Sequence, residues 1–164
     1  MTDTGNFAFQ NTSAETLLCA SEAIRAGADP SAIFSCVYHN QTIEGLHLWG
    51  QAFSRTEEVC PHVLLSWLSR EDFSRTGATG AETENLVNQL MDLKDVQFAV
   101  LLVEEEQHVR ISLRSKSPVL SARDVASEFG GGGHPQAAGC CLGLPIEEAR
   151  DIIRSKLISS FEVK

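Results

Sequence analysis

Long apolar runs are missing from this sequence, and none approaches the roughly 20 residues that a membrane-spanning helix needs. The opening Met1-Thr2-Asp3-Thr4-Gly5 lacks the basic and apolar regions of a secretory leader, so a cytoplasmic location without membrane contact is expected. Cysteine is scarce and odd in number. The five residues, Cys19, Cys36, Cys60, Cys140 and Cys141, sit mostly in apolar stretches, which predicts free thiols and no disulfide framework. Positive charge is also short, since 13 Lys and Arg face 22 Asp and Glu for a net charge of −9. That balance excludes a broad basic face for long duplexes, which must neutralise many phosphates. A small phosphate site remains open, because it requires only a few cations and backbone amides. Internal repeats and low-complexity linkers are lacking as well.

With 43% hydrophobic and 21% charged residues over 164 positions, the chain is suited to one ordinary core, or a small core with an extension. Thr12-x-x-Glu15 reads as a capping box that opens a helix ending at Gly27. Asp29-Pro30 reads as the N-cap and first residue of a second helix, and Leu46, Leu48, Trp49 and Phe53 lie on a third between Thr42 and Arg55. A strand is predicted over 62–68, a loop over 71–80 and a helix over 81–93. The apolar run 96–103 and the alternating 108–115 then form an antiparallel hairpin. A short helix over 122–129, a glycine-rich turn, a short strand and a last helix from Ile146 to about Leu157 complete the chain. The fold class expected is α/β in the α+β sense: a mixed sheet with flanking helices, preceded by a helical segment. The boundary is placed between residues 1–58 and 59–164.

The most unusual feature is Gly130-Gly131-Gly132-Gly133-His134, since consecutive glycines cost chain entropy and contribute no packing. Such a turn can aim amide N–H groups at an anion, with His134 adding a donor and Ala137-Ala138-Gly139 keeping the wall small. A flexible surface loop is the competing reading. Arg114, flanked by Ser112 and Ser115 at a strand end, could bring a guanidinium and hydroxyls to the same anion, or be an ordinary solvated arginine. Asp3 is either a metal ligand or a turn residue. Cys60-Pro61-His62 and His134 with Cys140-Cys141 contain zinc-type ligands without the paired spacing of structural zinc sites. Trp49 and Trp67 are expected in the core, with nothing basic or aromatic clustered near them.

Ser112-Leu113-Arg114-Ser115, the short helix, Phe129 to His134 and Ala137-Ala138-Gly139 together resemble the DHH-associated (DHHA1) domain of DHH phosphoesterases. Asp3-Thr4-Gly5-Asn6-Phe7 with Asn11-Thr12 is similar to the last metal-binding motif of that family's catalytic domain, so the resemblance runs over nearly the whole chain. It is nearest to the bacterial nano-RNases, bifunctional oligoribonucleases that also dephosphorylate 3'-phosphoadenosine 5'-phosphate. Related lobes occur in single-strand exonucleases, cyclic-dinucleotide phosphodiesterases and alanyl-tRNA synthetases. The resemblance implies a two-lobed manganese enzyme in which Asp3 is one metal ligand, while Arg114, Ser115, Gly131, Gly132, Gly133 and His134 grip short single-stranded oligonucleotides or nucleotide phosphates. It also implies that residues 1–58 are the helical end of the catalytic domain and its connector. The family's earlier aspartate motifs and its Asp-His-His triplet are absent here, and one aspartate cannot hold two cations that each want about six ligands. The chain alone is therefore expected to bind without hydrolysing. A truncated gene, a misassigned start, or a subunit that takes a DHH domain in trans would each account for this. A stand-alone nucleic-acid-binding or interaction module is the alternative.

Overall fold

A computed structural model describes residues 4–8, 11–39 and 41–162, with the side chain of residue 162 left out of the description. It divides into two compact units, residues 1–41 and 42–164. The first contains helices α1 (Ala14–Arg25) and α2 (Pro30–Tyr38), neither of which buries a residue. Asp29 caps α2 through Ser31 N at 2.9 Å, with Pro30 in the first turn as its fixed φ favours. The cap of α1 lies one residue later than the sequence pattern suggests. Ser13 accepts from Thr16 N at 3.2 Å, and Thr16 rather than Glu15 returns the bond to the Ser13 amide.

The third helix, α3 (Ile43–Ser54), belongs to the second unit, so the division between units falls ahead of residue 58. Its Leu48 and Ala52 are buried, and both Thr42 Oγ1 and Trp49 Nε1 bond to Glu82, at 3.2 and 2.6 Å. The unit is built on a six-stranded sheet of order β1-β2-β3-β4-β6-β5. The strands are β1 (Glu57–Cys60), β2 (Val63–Leu68), β3 (Phe98–Glu104), β4 (Val109–Ser115), β5 (Gly132–His134) and β6 (Ala137–Leu142). Only β2 and β3 run parallel. Their connection passes through α4 (Arg70–Thr76), a single 3-10 turn (Gly80–Thr83) and α5 (Leu86–Met91), and α6 (Ala122–Glu128) and α7 (Ile146–Glu162) follow the hairpin of β3 and β4. The mixed sheet with flanking helices agrees with the fold class read from the sequence. No helix among the described residues is long and apolar enough to cross a membrane.

The two faces of the sheet are covered unequally. On one, Val63, Leu65, Phe98, Val100, Leu102, Ile111, Leu113 and Cys140 meet Val125 of α6 and Ile153 and Leu157 of α7. On the other, Leu64, Leu68, Ala99, Leu101 and Val103 of β2 and β3 meet α3 and α5. Both central strands are thus buried on both sides, as parallel strands usually are, whereas β4 alternates buried and half-exposed residues. Apolar cover on the second face stops at β3.

Three local features differ from the sequence reading. Residues 71–80 contain α4, opened by Ser69 with Asp72 and closed by Gly77 at φ 77°. The expected helix over 81–93 is broken because Asn85 takes φ 63°, and a left-handed residue cannot continue a right-handed helix. Trp67 has basic neighbours after all, with the Arg150 and Arg55 guanidinium carbons 4.7 and 5.7 Å from its ring centre.

Asp72 at the start of α4 is 2% exposed and charged. Its carboxylate accepts from Arg55 Nη1 and Nη2 at 2.6 and 2.9 Å and from Ser69 N and Oγ at 2.8 and 2.9 Å. Burial works to raise its pKa, but the bonds from Arg55 and Ser69 outweigh it and hold the group below the usual carboxylate range. With the folded value depressed, this stabilisation is complete well above the unfolded value of about 3.9 and fades as pH falls through the lower folded value. Asp72→Asn is expected to cost about 3 kcal/mol at neutral pH and to flatten the acid limb of stability, measured by urea unfolding between mildly acidic and neutral pH.

Candidate functional site

Strand alternation decides what the uncovered part of the second face displays. Ile111 and Leu113 turn into the core, so Arg110, Ser112 and Arg114 turn out of it. Residues paired across a ladder share a face, and Arg114 pairs with Ala137, which pairs with His134. The next row, Ser112 with Gly139 and Gly132, lies beside it, followed by Arg110 with Cys141. The outcome is a shelf with a floor of Ala137 and Gly139, cationic groups at Arg110 and Arg114, and an exposed imidazole-bearing strand across the floor. Neighbouring strands are about 4.8 Å apart, which sets the backbones of Arg114 and His134 roughly 10 Å from one another.

On its β4 side the shelf deepens into a cleft of roughly 630 Å³, lined by Gly80, Ala81, Thr83, Glu84, Asn85, Val87, Glu105 and the three outward side chains of β4. The Arg114 guanidinium is fixed before any ligand arrives. Nε donates to Asn88 Oδ1 at 2.7 Å and Nη1 to the Leu113 carbonyl at 3.0 Å, while Asn88 Nδ2 donates to Asn85 Oδ1 at 3.0 Å. Of its five donors these two bonds occupy two, so this lining residue of the cleft keeps three N–H groups, both of those on Nη2 included, for a ligand. Burial pulls the pKa of this group below its ordinary value, yet an arginine so shifted stays charged at neutral pH. A preset, partly desolvated fork of this kind is matched to the paired oxygens of a phosphate.

The glycines divide the work unevenly. Gly130 takes φ 73° just past α6, where its amide donates to Ser127 O at 3.1 Å and that of Gly131 to Ala126 O at 2.9 Å, a Schellman ending. The Gly131 amide is therefore spent on the helix, and its missing side chain makes room for β6: a Cβ there would lie 2.2 Å from Gly139 O and 2.5 Å from Cys140 Cβ. Gly133 is hemmed in by Ala137 O and Ala138 Cα at 2.6 and 2.7 Å, with φ 140°. Gly132, by contrast, has nothing within 4 Å of where a Cβ would stand.

Of the residues picked out by sequence, the structure brings Arg114, Gly132 and His134 together on the shelf. Ser115 is turned away, 5% exposed on the opposite face, where its hydroxyl donates to Leu120 O at 2.7 Å and accepts from Ser117 N at 3.0 Å. Gly131 and Gly133 are packing positions under the same strand. Asp3 lies outside the described residues. Among the described residues no three of His, Cys, Asp and Glu converge on a point. These residues do not fit a divalent-metal centre. Cys140 and Cys141 point to opposite faces and cannot serve one metal together, and burial, helped by the charge of Cys141, pushes the Cys140 thiol up to about 11. Arg110 was not singled out by sequence reasoning, although its place in the Arg110, Ser112, Arg114 alternation was there to find it.

A DHHA1 domain model matches residues 61–161, the greater part of the chain and every element of the shelf. The chain belongs to the DHHA1 domain family. It is 30% identical over 140 residues to the bifunctional oligoribonuclease and PAP phosphatase NrnA of Bacillus subtilis, covering 85% of this chain and 44% of that protein. It is 32% identical over 152 residues to the protein of the same description from Thermus thermophilus, covering 91% of this chain and 44% of the other. An exopolyphosphatase-related protein from Bacteroides fragilis superposes with a TM-score of 0.88 at 29% identity, over 97% of this chain and 47% of that one. The chain thus spans less than half the length of these relatives.

The contrast among the glycines is open to direct measurement. Gly131→Ala is expected to lower stability by about 2 kcal/mol through overpacking against β6, whereas Gly132→Ala stays within about 0.5 kcal/mol of the unaltered chain. Equilibrium urea melts of the two variants check this, and equal effects would remove the packing account of Gly131.

Proposed function

We propose that this chain is the substrate-holding part of a DHH phosphoesterase of the oligoribonuclease and PAP phosphatase type, and that it seats a nucleotide phosphate between Arg114 and His134. The observation that carries the reading is the single row Arg114, Ala137, His134 across the open shelf, with the guanidinium already oriented by Asn88. A pinned arginine loses little conformational freedom on binding, so more of its interaction with phosphate is retained as affinity. Small residues on the floor let the sugar-phosphate backbone come close to the sheet. The ligands proposed are short single-stranded oligonucleotides and nucleoside phosphates, in keeping with what the names of its relatives say those proteins act on.

Hydrolysis is assigned to a DHH lobe, in the same polypeptide or supplied in trans, where metal ions would activate water and stabilise the leaving oxygen. The described residues would take no part in that step beyond binding and orientation. The chain is expected to bind a fluorescent short RNA and the nucleoside bisphosphate PAP without cleaving either, manganese included. Arg114→Ala is expected to weaken both by about tenfold or more, as removal of a charge-assisted phosphate contact does, and His134→Ala by less. Fluorescence polarisation with an electrophoretic check for cleavage reads both outcomes. Undiminished binding by Arg114→Ala would sink the site, and cleavage by the chain would sink the division of labour.

A further inference from the structure

Resting on that reading of the shelf, we infer that Arg110 forms a second subsite, and that it separates ligands of dinucleotide length or more from mononucleotides. Arg110 and Arg114 are on the same face of one strand four positions apart, which at about 3.4 Å per residue places their backbones roughly 13 Å from each other. Both line the same cleft. A ligand whose phosphate is held at Arg114 meets Arg110 only by continuing along β4.

Arg110 is organised as closely as Arg114. Nε donates to Glu105 Oε1 at 2.7 Å, Nη2 to Thr83 Oγ1 at 2.8 Å, and Nη1 reaches Ser112 Oγ at 3.4 Å, the limit of a hydrogen bond. Thr83 is only 6% exposed and is itself anchored, its hydroxyl donating to Gly80 O at 2.7 Å. An arginine held on two sides by groups from separate elements, and still facing open space, is a positioned donor rather than a solvated one. At least two of its five N–H groups stay available to a ligand.

The surrounding charges indicate which part of a ligand belongs there. Glu84 and Glu105 line the cleft with Arg110, so two carboxylates outnumber the one guanidinium of the subsite and suit it poorly to a lone phosphate. It offers acceptors beside donors, as the second residue of an oligonucleotide requires: the guanidinium for its phosphodiester, the carboxylates for ribose hydroxyls or exocyclic amines. Glu105 is shared between Arg110 and His108, whose Nε2 stands 3.1 Å from its other oxygen, which leaves Glu84 as the less engaged carboxylate of the cleft.

The test uses the full chain and two probes, adenosine 5'-monophosphate (AMP), which has a single phosphate, and the phosphorylated dinucleotide pApA, with calorimetric affinities for the unaltered chain, Arg110→Ala, Arg110→Lys and Arg114→Ala. Arg110→Ala is expected to weaken pApA by about tenfold while changing AMP by less than about twofold, with Arg110→Lys in between because it keeps the charge and loses the fork. Arg114→Ala should weaken both. If Arg110→Ala affects both probes equally, or neither, the subsite is refuted while the shelf stands. If the unaltered chain binds neither probe, the proposed function itself fails. Thermal melts of each variant separate loss of binding from loss of fold, and Arg110→Lys gives a second reading should Arg110→Ala unfold.

Discussion

Everything at the site depends on a limitation of β-structure: a strand sends successive side chains to opposite faces, and its neighbours must follow suit. In β4 the core takes Ile111 and Leu113, which forces Arg110, Ser112 and Arg114 onto the other face whether or not that face is covered. Helices α3 and α5 cover β2 and β3 with apolar side chains, and α5 meets β4 through Asn88, which bonds to Arg114. The cleft is therefore a by-product of incomplete layering, with one helix serving as both lid of the core and wall of the site. Asn88 shows the double use well, for its helix buries Leu86, Val87, Leu90 and Met91 on one side and presents the amide that aims Arg114 on the other.

The glycine run is a case in which one composition serves several ends. Gly130 and Gly131 end α6, and Gly131 also admits β6 at backbone contact, so these two spend their amides on the helix. Gly132, Gly133 and His134 are exposed, and the register puts Gly132 and His134 on the shelf side. An anion nest made of consecutive amides and a flat floor flanked by cations both use glycine, but they place different groups in front of the phosphate. This geometry favours the floor.

Much of the architecture could be read directly from the sequence. The hairpin of β3 and β4 was visible because a continuous apolar run followed by strict alternation has few other meanings, and the same alternation distinguishes a strand covered twice from one covered once. The cap Asp29 was legible from the Asp-Pro pair that opens its helix, whereas Thr42, read as the start of the third helix, is its N-cap. What escaped was set by tertiary context. Asn85 adopts a left-handed conformation inside a stretch with helical spacing, and β1 is too short and polar to announce itself. Among site residues, Arg114 and His134 stood out by motif, while Ser115 was grouped with Arg114 by adjacency although strand alternation turns it to the core face with Ile111 and Leu113. Arg110 was missed because its partners, Thr83 and Glu105, come from segments that have no sequence pattern in common.

The outermost strand deserves a last thought in terms of solubility. A sheet that ends in β5 leaves one row of backbone donors and acceptors without a ladder, the arrangement through which extended chains recruit one another. Here that row is three residues long, opens with two glycines of poor strand propensity, and ends at His134, immediately before Pro135. At the opposite margin β1 carries Glu57 and Glu58. The features that keep the shelf low and open thus also make its rim a poor template for strand pairing with other copies of the chain.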